Sequence, residues 1–144
     1  MSTWIYYENP IFSMIHPYMY YGIEAWFGAS RSLINKICVL QKKSIRCIKS
    51  LPMCAHTSDH FNNLNILTLD KLYKFAVGVY MFRTINFQDF DTNLLSNLQS
   101  HDDVHLYETR NRYNLVVSRF SRTKSLSSLR YAGVKIWNEY PCWY

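Results

Sequence analysis

Between Glu24 and Asp59 the chain carries no acidic residue, yet Arg31, Lys36, Lys42, Lys43, Arg46 and Lys49 all fall inside that stretch. The apolar residues there recur at helical spacing. At ~100° per residue, Leu33, Ile34, Ile37, Cys38, Leu40, Ile45, Cys47 and Ile48 share one half of the wheel. The six cations take the other half, with Val39 the one aliphatic residue among them. Ser30 or Ser32 supplies a capping hydroxyl at the start, and Leu51-Pro52 stops the run near Lys49. A helix of this kind must bury one flank against the rest of the chain and hold a flank of one sign in water. That requirement sets the fold class and the choice of partner together.

The rest of the composition agrees with a folded chain. A length of 144 residues fits one domain with its own core. Hydrophobic residues make up 49% and charged residues 18%, too apolar for a disordered chain. The net charge is +6, and a second basic stretch holds Arg110, Arg112, Arg119, Arg122, Lys124, Arg130 and Lys135. Acids collect elsewhere, at Asp89, Asp91, Asp102 and Asp103. Patches of one sign favour polyanions, nucleic acid before anionic membrane. Cys38, Cys47, Cys54 and Cys142 lack CxxC spacing, and the start does not resemble a secretory signal. Disulfides are therefore not expected, and a reducing compartment is. The longest uncharged run, Asn9 to Ile23, falls short of the ~20 apolar residues of a spanning helix. No membrane partner is expected.

Along the chain, Pro17 suits the first turn of a helix reaching about Phe27, because its missing N–H costs nothing there. Apolar and aromatic residues surround that helix, so it should be buried, with Gly28 ending it. After the cationic helix, His56 to Leu64 forms a short helix capped by Thr57 or Ser58. Thr68 caps a third long helix to about Ile85, whose apolar arc exceeds half the wheel and predicts a central position. Gly78 within it suggests close packing. Asn93 to Leu98 adds a turn or two. Beyond Ser100, Tyr113, Leu115 and Val117 alternate as in a strand, with Val104 to Tyr107 as partner. Ser121 to Ser128 reads as a basic loop, and Gly133 to Pro141 as a turn and closing helix. The expected fold is mainly α, a small bundle of three to five helices with a short β-hairpin or irregular C-terminal part. Residues 1–100 form the bundle, and residues 101–144 a basic, mostly irregular segment.

The chain holds no recognisable catalytic centre. Nucleophilic catalysis needs a Ser or Cys paired with His and an acid, and no nucleophile elbow surrounds any candidate. The glycines are too scattered to cradle a phosphate. Asp102-Asp103 is the only adjacent acidic pair, in a polar stretch better suited to solvated acids than to two-metal chemistry. Cys54-x-His56-x3-His60 has ligand chemistry for zinc but lacks a fourth ligand at a convincing spacing. No metal or cofactor is expected. Tyr18, Tyr20 and Tyr21 with Trp26 and Phe27 could stack on bases, but the apolar surroundings favour the core. The cationic face is the strongest signal, because each Lys or Arg that neutralises a phosphate releases condensed counterions. An ordinary solvated face, or an acidic or membrane partner, stays open as an alternative.

Particular strings add to this. Pro17-Tyr18-Met19-Tyr20-Tyr21-Gly22-Ile23-Glu24-Ala25-Trp26 resembles the segment that follows the palm in reverse transcriptases of non-LTR (LINE-like) retrotransposons. Leu40-Gln41-Lys42-Lys43-Ser44-Ile45-Arg46 is similar to that family's L-Q-K-K-A-(I/V)-R. Ala55-His56-Thr57, Phe61, Leu64 to Leu69 and Leu72-Tyr73 continue in order. Tyr107-Glu108-Thr109-Arg110 is similar to its Y-x-T-R, and Gly133 to Pro141 to its G-P-x-L-W-N-x-L-P, with Val134 for proline and Tyr140 for leucine. The likeness runs from about residue 11 to 141.

The resemblance implies the thumb and post-thumb region of an RNA-directed DNA polymerase. The family's metal-binding aspartates belong upstream, and nothing before Pro17 could hold them. The expected reading is thus a fragment lacking the palm, inactive alone, from a terminal exon, a decayed copy or a truncated gene. Its expected partners are RNA or an RNA–DNA hybrid, held through the phosphate backbone by Arg31, Lys36, Lys42, Lys43, Arg46 and Lys49, and a separately encoded palm. Localisation, nuclear or cytoplasmic, follows from the resemblance only. The alternatives are a remnant without independent activity and a small nucleic-acid-binding helical module.

Overall fold

A computed structural model describes residues 11–87, 90–104, 114–117 and 128–139, and the protein is mainly helical. A π-helical turn, Ile11–Ile15, leads into α1 (His16–Tyr20) and α2 (Ile23–Trp26). There follow α3 (Arg31–Ile48), α4 (Ser58–Asn63), α5 (Leu69–Asn86), α6 (Thr92–Leu95), α7 (His101–Val104) and α8 (Leu129–Glu139). Packing divides the chain into two compact units, Met1–Tyr73 and Lys74–Tyr144. The division falls inside α5.

In the first unit the single helix expected from Pro17 to Phe27 is two. Gly22 has φ +61°, a left-handed conformation that interrupts the helical ladder. Tyr21 N–H donates to Pro17 O at 2.9 Å to close α1, and Gly22 O accepts from Ala25 and Trp26 N–H to open α2. With the rod broken, its faces no longer share one burial. Ile23 is fully buried, whereas Tyr18 is 82% and Tyr21 85% exposed. The expectation that these tyrosines belong to the core is overturned. Phe27 does pack inward, stacked on Tyr73 with centroids 4.0 Å apart and rings 10° from parallel.

Both central helices of this unit end in the same way. After α3, Ser50 takes φ +51°, Ser50 N–H donates to Cys47 O at 3.2 Å and Leu51 N–H to Arg46 O at 2.8 Å. After α4, Asn65 takes φ +53°, with Asn65 N–H to Asn62 O at 3.1 Å and Ile66 N–H to Phe61 O at 2.9 Å. These paired bonds form the Schellman C-cap, which satisfies carbonyls the helix leaves orphaned. The second brings Ile66 back over Phe61, and together with Ile45 they make a buried cluster flanked by Ile15, Ile48 and Leu64. Thr57 precedes α4 as expected, but it makes no side-chain cap bond.

In the second unit, Val77, Met81 and Thr84 of α5 and Gly133, Val134 and Ile136 of α8 are buried. Gly133 sits inside α8, not in a turn before it. A Cβ at Gly133 would lie 2.8 Å from Met81 Sδ, so the two helices approach where no side chain intervenes. The close packing expected at Gly78 is found here instead, since a Cβ at Gly78 would meet nothing within 4 Å. Val134, where the resembled family carries proline, is an interior residue of α8, whose N–H a proline would remove. The exposure of Phe75 and Phe82 also departs from the central position expected for α5.

The expected hairpin reduces to an isolated antiparallel bridge between Ser100 and Leu115, and among the described residues there is no strand. Asn138 holds this bridge from α8, its Nδ2 donating to Leu115 O at 2.8 Å and its Oδ1 accepting from Leu115 N–H at 3.0 Å. Val104, the expected start of the partner strand, ends α7. Residues 105–113, positions 121–127 of the expected basic loop, and Pro141 lie outside the described residues. Among the described residues no helix is long and apolar enough to cross a membrane.

Candidate nucleic-acid interface

Helix α3 is 18 residues and about 27 Å long at 1.5 Å per residue. Ser30 stands at its N-cap position with extended backbone, its carbonyl accepting from Leu33 and Ile34 N–H. The Ser30 hydroxyl meets the Ser32 hydroxyl at 3.2 Å and caps no backbone N–H. No acid lies in the first turn, and Arg46 stands in the last turn, where the helix dipole favours a cation.

The buried flank of α3 is narrower than the sequence suggests. Ile34, Gln41 and Ile45 are buried, with Ile37, Cys38 and Ile48 half-buried at the margins. Leu33, Leu40 and Cys47 were expected on the core half but face solvent. Gln41 occupies the centre of the buried arc because it can satisfy two backbone groups there. Its Nε2 donates to Leu67 O at 2.9 Å, and its Oε1 accepts from Leu69 N–H at 3.2 Å. The amide thus serves the start of α5, where helical N–H groups lack intrahelical partners. Thr68, the expected cap, stands at that junction with its carbonyl accepting from Leu72 N–H at 2.8 Å.

On the opposite flank Arg31, Lys36, Lys42, Lys43 and Lys49 are exposed. Together with Arg46 they fall within roughly 140° of arc at ~100° per residue. Arg46 differs from the other five. It is half-buried, and its Nε donates to Ala55 O at 3.0 Å, tying the loop after α3 back onto the helix. None of the six is ion-paired among the described residues, where the recorded pair is Lys74 with Glu139 at 2.7 Å. Ser32, Asn35, Lys36, Val39, Leu40 and Lys43 line one open, shallow surface, which puts Val39 among the cations with its side chain accessible. Cys38 marks the border of the two flanks: burial, then the nearby Asp70 carboxylate, raises its thiol pKa. Of the second basic stretch, Arg130 and Lys135 belong to α8, and Arg110, Arg112, Arg119, Arg122 and Lys124 lie outside the described residues.

The other sequence candidates come to little chemistry. Cys54 and His56 are exposed, and no three His, Cys, Asp or Glu side chains converge to hold a metal among the described residues. The acidic pair resolves into a local structural role. Asp103 Oδ2 accepts from Ser100 N–H at 2.9 Å and from the Ser100 hydroxyl at 2.7 Å, while Asp103 N–H donates to Ser100 Oγ at 3.2 Å. This reciprocal arrangement is a capping box for α7, with aspartate in the usual glutamate position. These bonds, from the Ser100 side chain first, hold the Asp103 carboxyl below the ordinary carboxylate range. The S-x-x-D spacing was visible in the sequence and points to this cap.

No family model, no curated protein and no solved structure matches the chain.

Proposed function

We propose that α3 lays its cationic arc along the sugar–phosphate backbone of RNA or an RNA–DNA hybrid, as the thumb-like part of a reverse-transcriptase-type polymerase whose palm is a separate element. The observation that carries this reading is the exposure of Arg31, Lys36, Lys42, Lys43 and Lys49 on one side of an acid-free helix. A solvated helix face ordinarily mixes both signs to limit self-repulsion, whereas a face of one sign is relieved by a polyanion. Contacts of this kind follow the backbone and read no sequence. Lys42, Lys43 and Arg46 also belong to the string that resembles the retrotransposon family. This role needs no catalytic group on the chain itself, and the aspartates of the chemistry would come from the palm.

The test is fluorescence anisotropy of the purified chain with a labelled hybrid duplex across a range of salt. Each of Lys36→Ala, Lys42→Ala and Lys43→Ala should flatten the log–log slope by about 1. Slopes that ignore all three substitutions would remove the reading.

A further inference from the structure

We propose that one shoulder of α3 is a docking seam for an acidic, leucine-bearing helix of a partner protein. Leu33, Lys36, Leu40, Lys43 and Cys47 are all exposed, and the intervals between them alternate three and four residues. At ~100° per residue they share roughly 80° of arc, and at 1.5 Å per residue the row is about 21 Å long. Such alternation is the pattern along which one helix seats its side chains between those of another. Lys36, Leu40 and Lys43 also line the open, shallow surface of this helix.

The leucines set the apolar half of what a partner must offer. Leu33 is 50% and Leu40 57% exposed. A phosphate backbone gains nothing by covering them, whereas apolar side chains do.

Charge sets the other half. Lys36 and Lys43 stand between the leucines, neither is ion-paired among the described residues, and α3 carries no acid. Their stems can lie along the leucines while the ammonium groups reach the rim of the seam. A facing helix must therefore bring carboxylates to that rim. A basic helix would set like charges together, which disfavours the contact by the same rule that steers complementary patches together. The same argument excludes a second copy of α3, since it would place lysine against cations. Helix-on-groove contacts of this length draw their affinity from a few anchors at such spacing. The inference shares Lys36 and Lys43 with the duplex reading, so the two ligands exclude each other, but it rests on the leucines, which that reading leaves unused.

Fluorescence anisotropy of the nuclease-treated full chain tests it, with a labelled synthetic peptide of about three heptads, leucine at a and d and glutamate at e and g. Binding is expected with a Kd of roughly 1–100 µM. Leu33→Ser with Leu40→Ser should weaken it about tenfold or more, leaving far-UV circular dichroism and hybrid-duplex affinity unchanged. Lys36→Glu with Lys43→Glu should abolish it. Polyglutamate, which has the charge without the leucines, should bind at least about tenfold more weakly than the peptide. No binding at several hundred µM peptide overturns the proposal, as does binding that ignores the leucine variant or is matched by polyglutamate. Duplex binding without peptide binding removes this inference alone, and peptide binding without duplex binding removes the nucleic-acid reading alone.

Discussion

Leu69 N–H donates to the side-chain Oε1 of Gln41, 28 positions earlier in the chain, at 3.2 Å. One amide thereby joins α3 to the start of α5, and it is only 5% exposed. Gln41→Ala leaves Leu67 O and Leu69 N–H without their buried partner. At ~1–3 kcal/mol for each of the two unsatisfied groups, the expected cost is about 2–6 kcal/mol, or roughly 5–20 °C in Tm. Gln41→Leu refills the volume but not the bonds, and should recover only part of it. Thermal melts that place both variants within a degree of wild type would show that the amide carries little.

The two helical glycines should respond in opposite directions. Gly78→Ala puts a methyl into open space and gains ~1 kcal/mol of helix propensity, so it should stabilise the chain when measured in dilute solution. Gly133→Ala gains the same propensity but drives its Cβ to 2.8 Å from the fully buried Met81 Sδ. Overpacking costs about 1–3 kcal/mol, and the net effect should be destabilising. Denaturant midpoints read the contrast; equal signs for the two variants would contradict the packing described.

Arg46 and Lys43 should separate folding from binding. Lys43 is exposed, and its loss should lower nucleic-acid affinity while leaving Tm within about 1 °C. Arg46 also donates to Ala55 O, so Arg46→Ala should lower stability as well, by about 0.5–1.5 kcal/mol of lost hydrogen bond. Paired melting and anisotropy measurements on the two variants check both halves.

Acid should loosen the junction between α5 and α6 in a way that depends on Tyr80. The Tyr80 hydroxyl donates to Asp91 Oδ2 at 2.5 Å and Leu94 N–H donates to Oδ1 at 2.9 Å, and these hold the Asp91 carboxyl below its ordinary range, Tyr80 most. A carboxylate with a folded-state pKa beneath the unfolded one stabilises the fold above the unfolded value. That contribution is lost as pH falls through the folded one. Tyr80→Phe narrows the gap, so the acid limb of a Tm-against-pH curve should be shallower than in wild type. A two-dimensional carboxyl titration by NMR would show the Asp91 midpoint rising in the variant. An unmoved midpoint would assign the shift to some other group.

What the sequence determined by itself was local. The placement of α3, α4 and α5 within a residue or two, and the common side taken by the six cations, depend on helical periodicity and on breakers such as Pro52, both properties of near neighbours. The Ser100–Asp103 capping box has an equally local spacing, yet the sequence reading took the acidic pair for solvated acids, and only the hydrogen bonds revealed the cap. Burial was not, because it depends on which distant segment arrives. Tyr18 and Tyr21 read as core until Gly22 broke their helix. Leu33 and Leu40 lay on the apolar half but beyond the reach of any covering segment among the described residues, while Gln41 was drawn inside by two backbone groups of another helix. Only tertiary structure could decide these, since an apolar stripe sets a demand for cover and the fold decides where that cover is supplied.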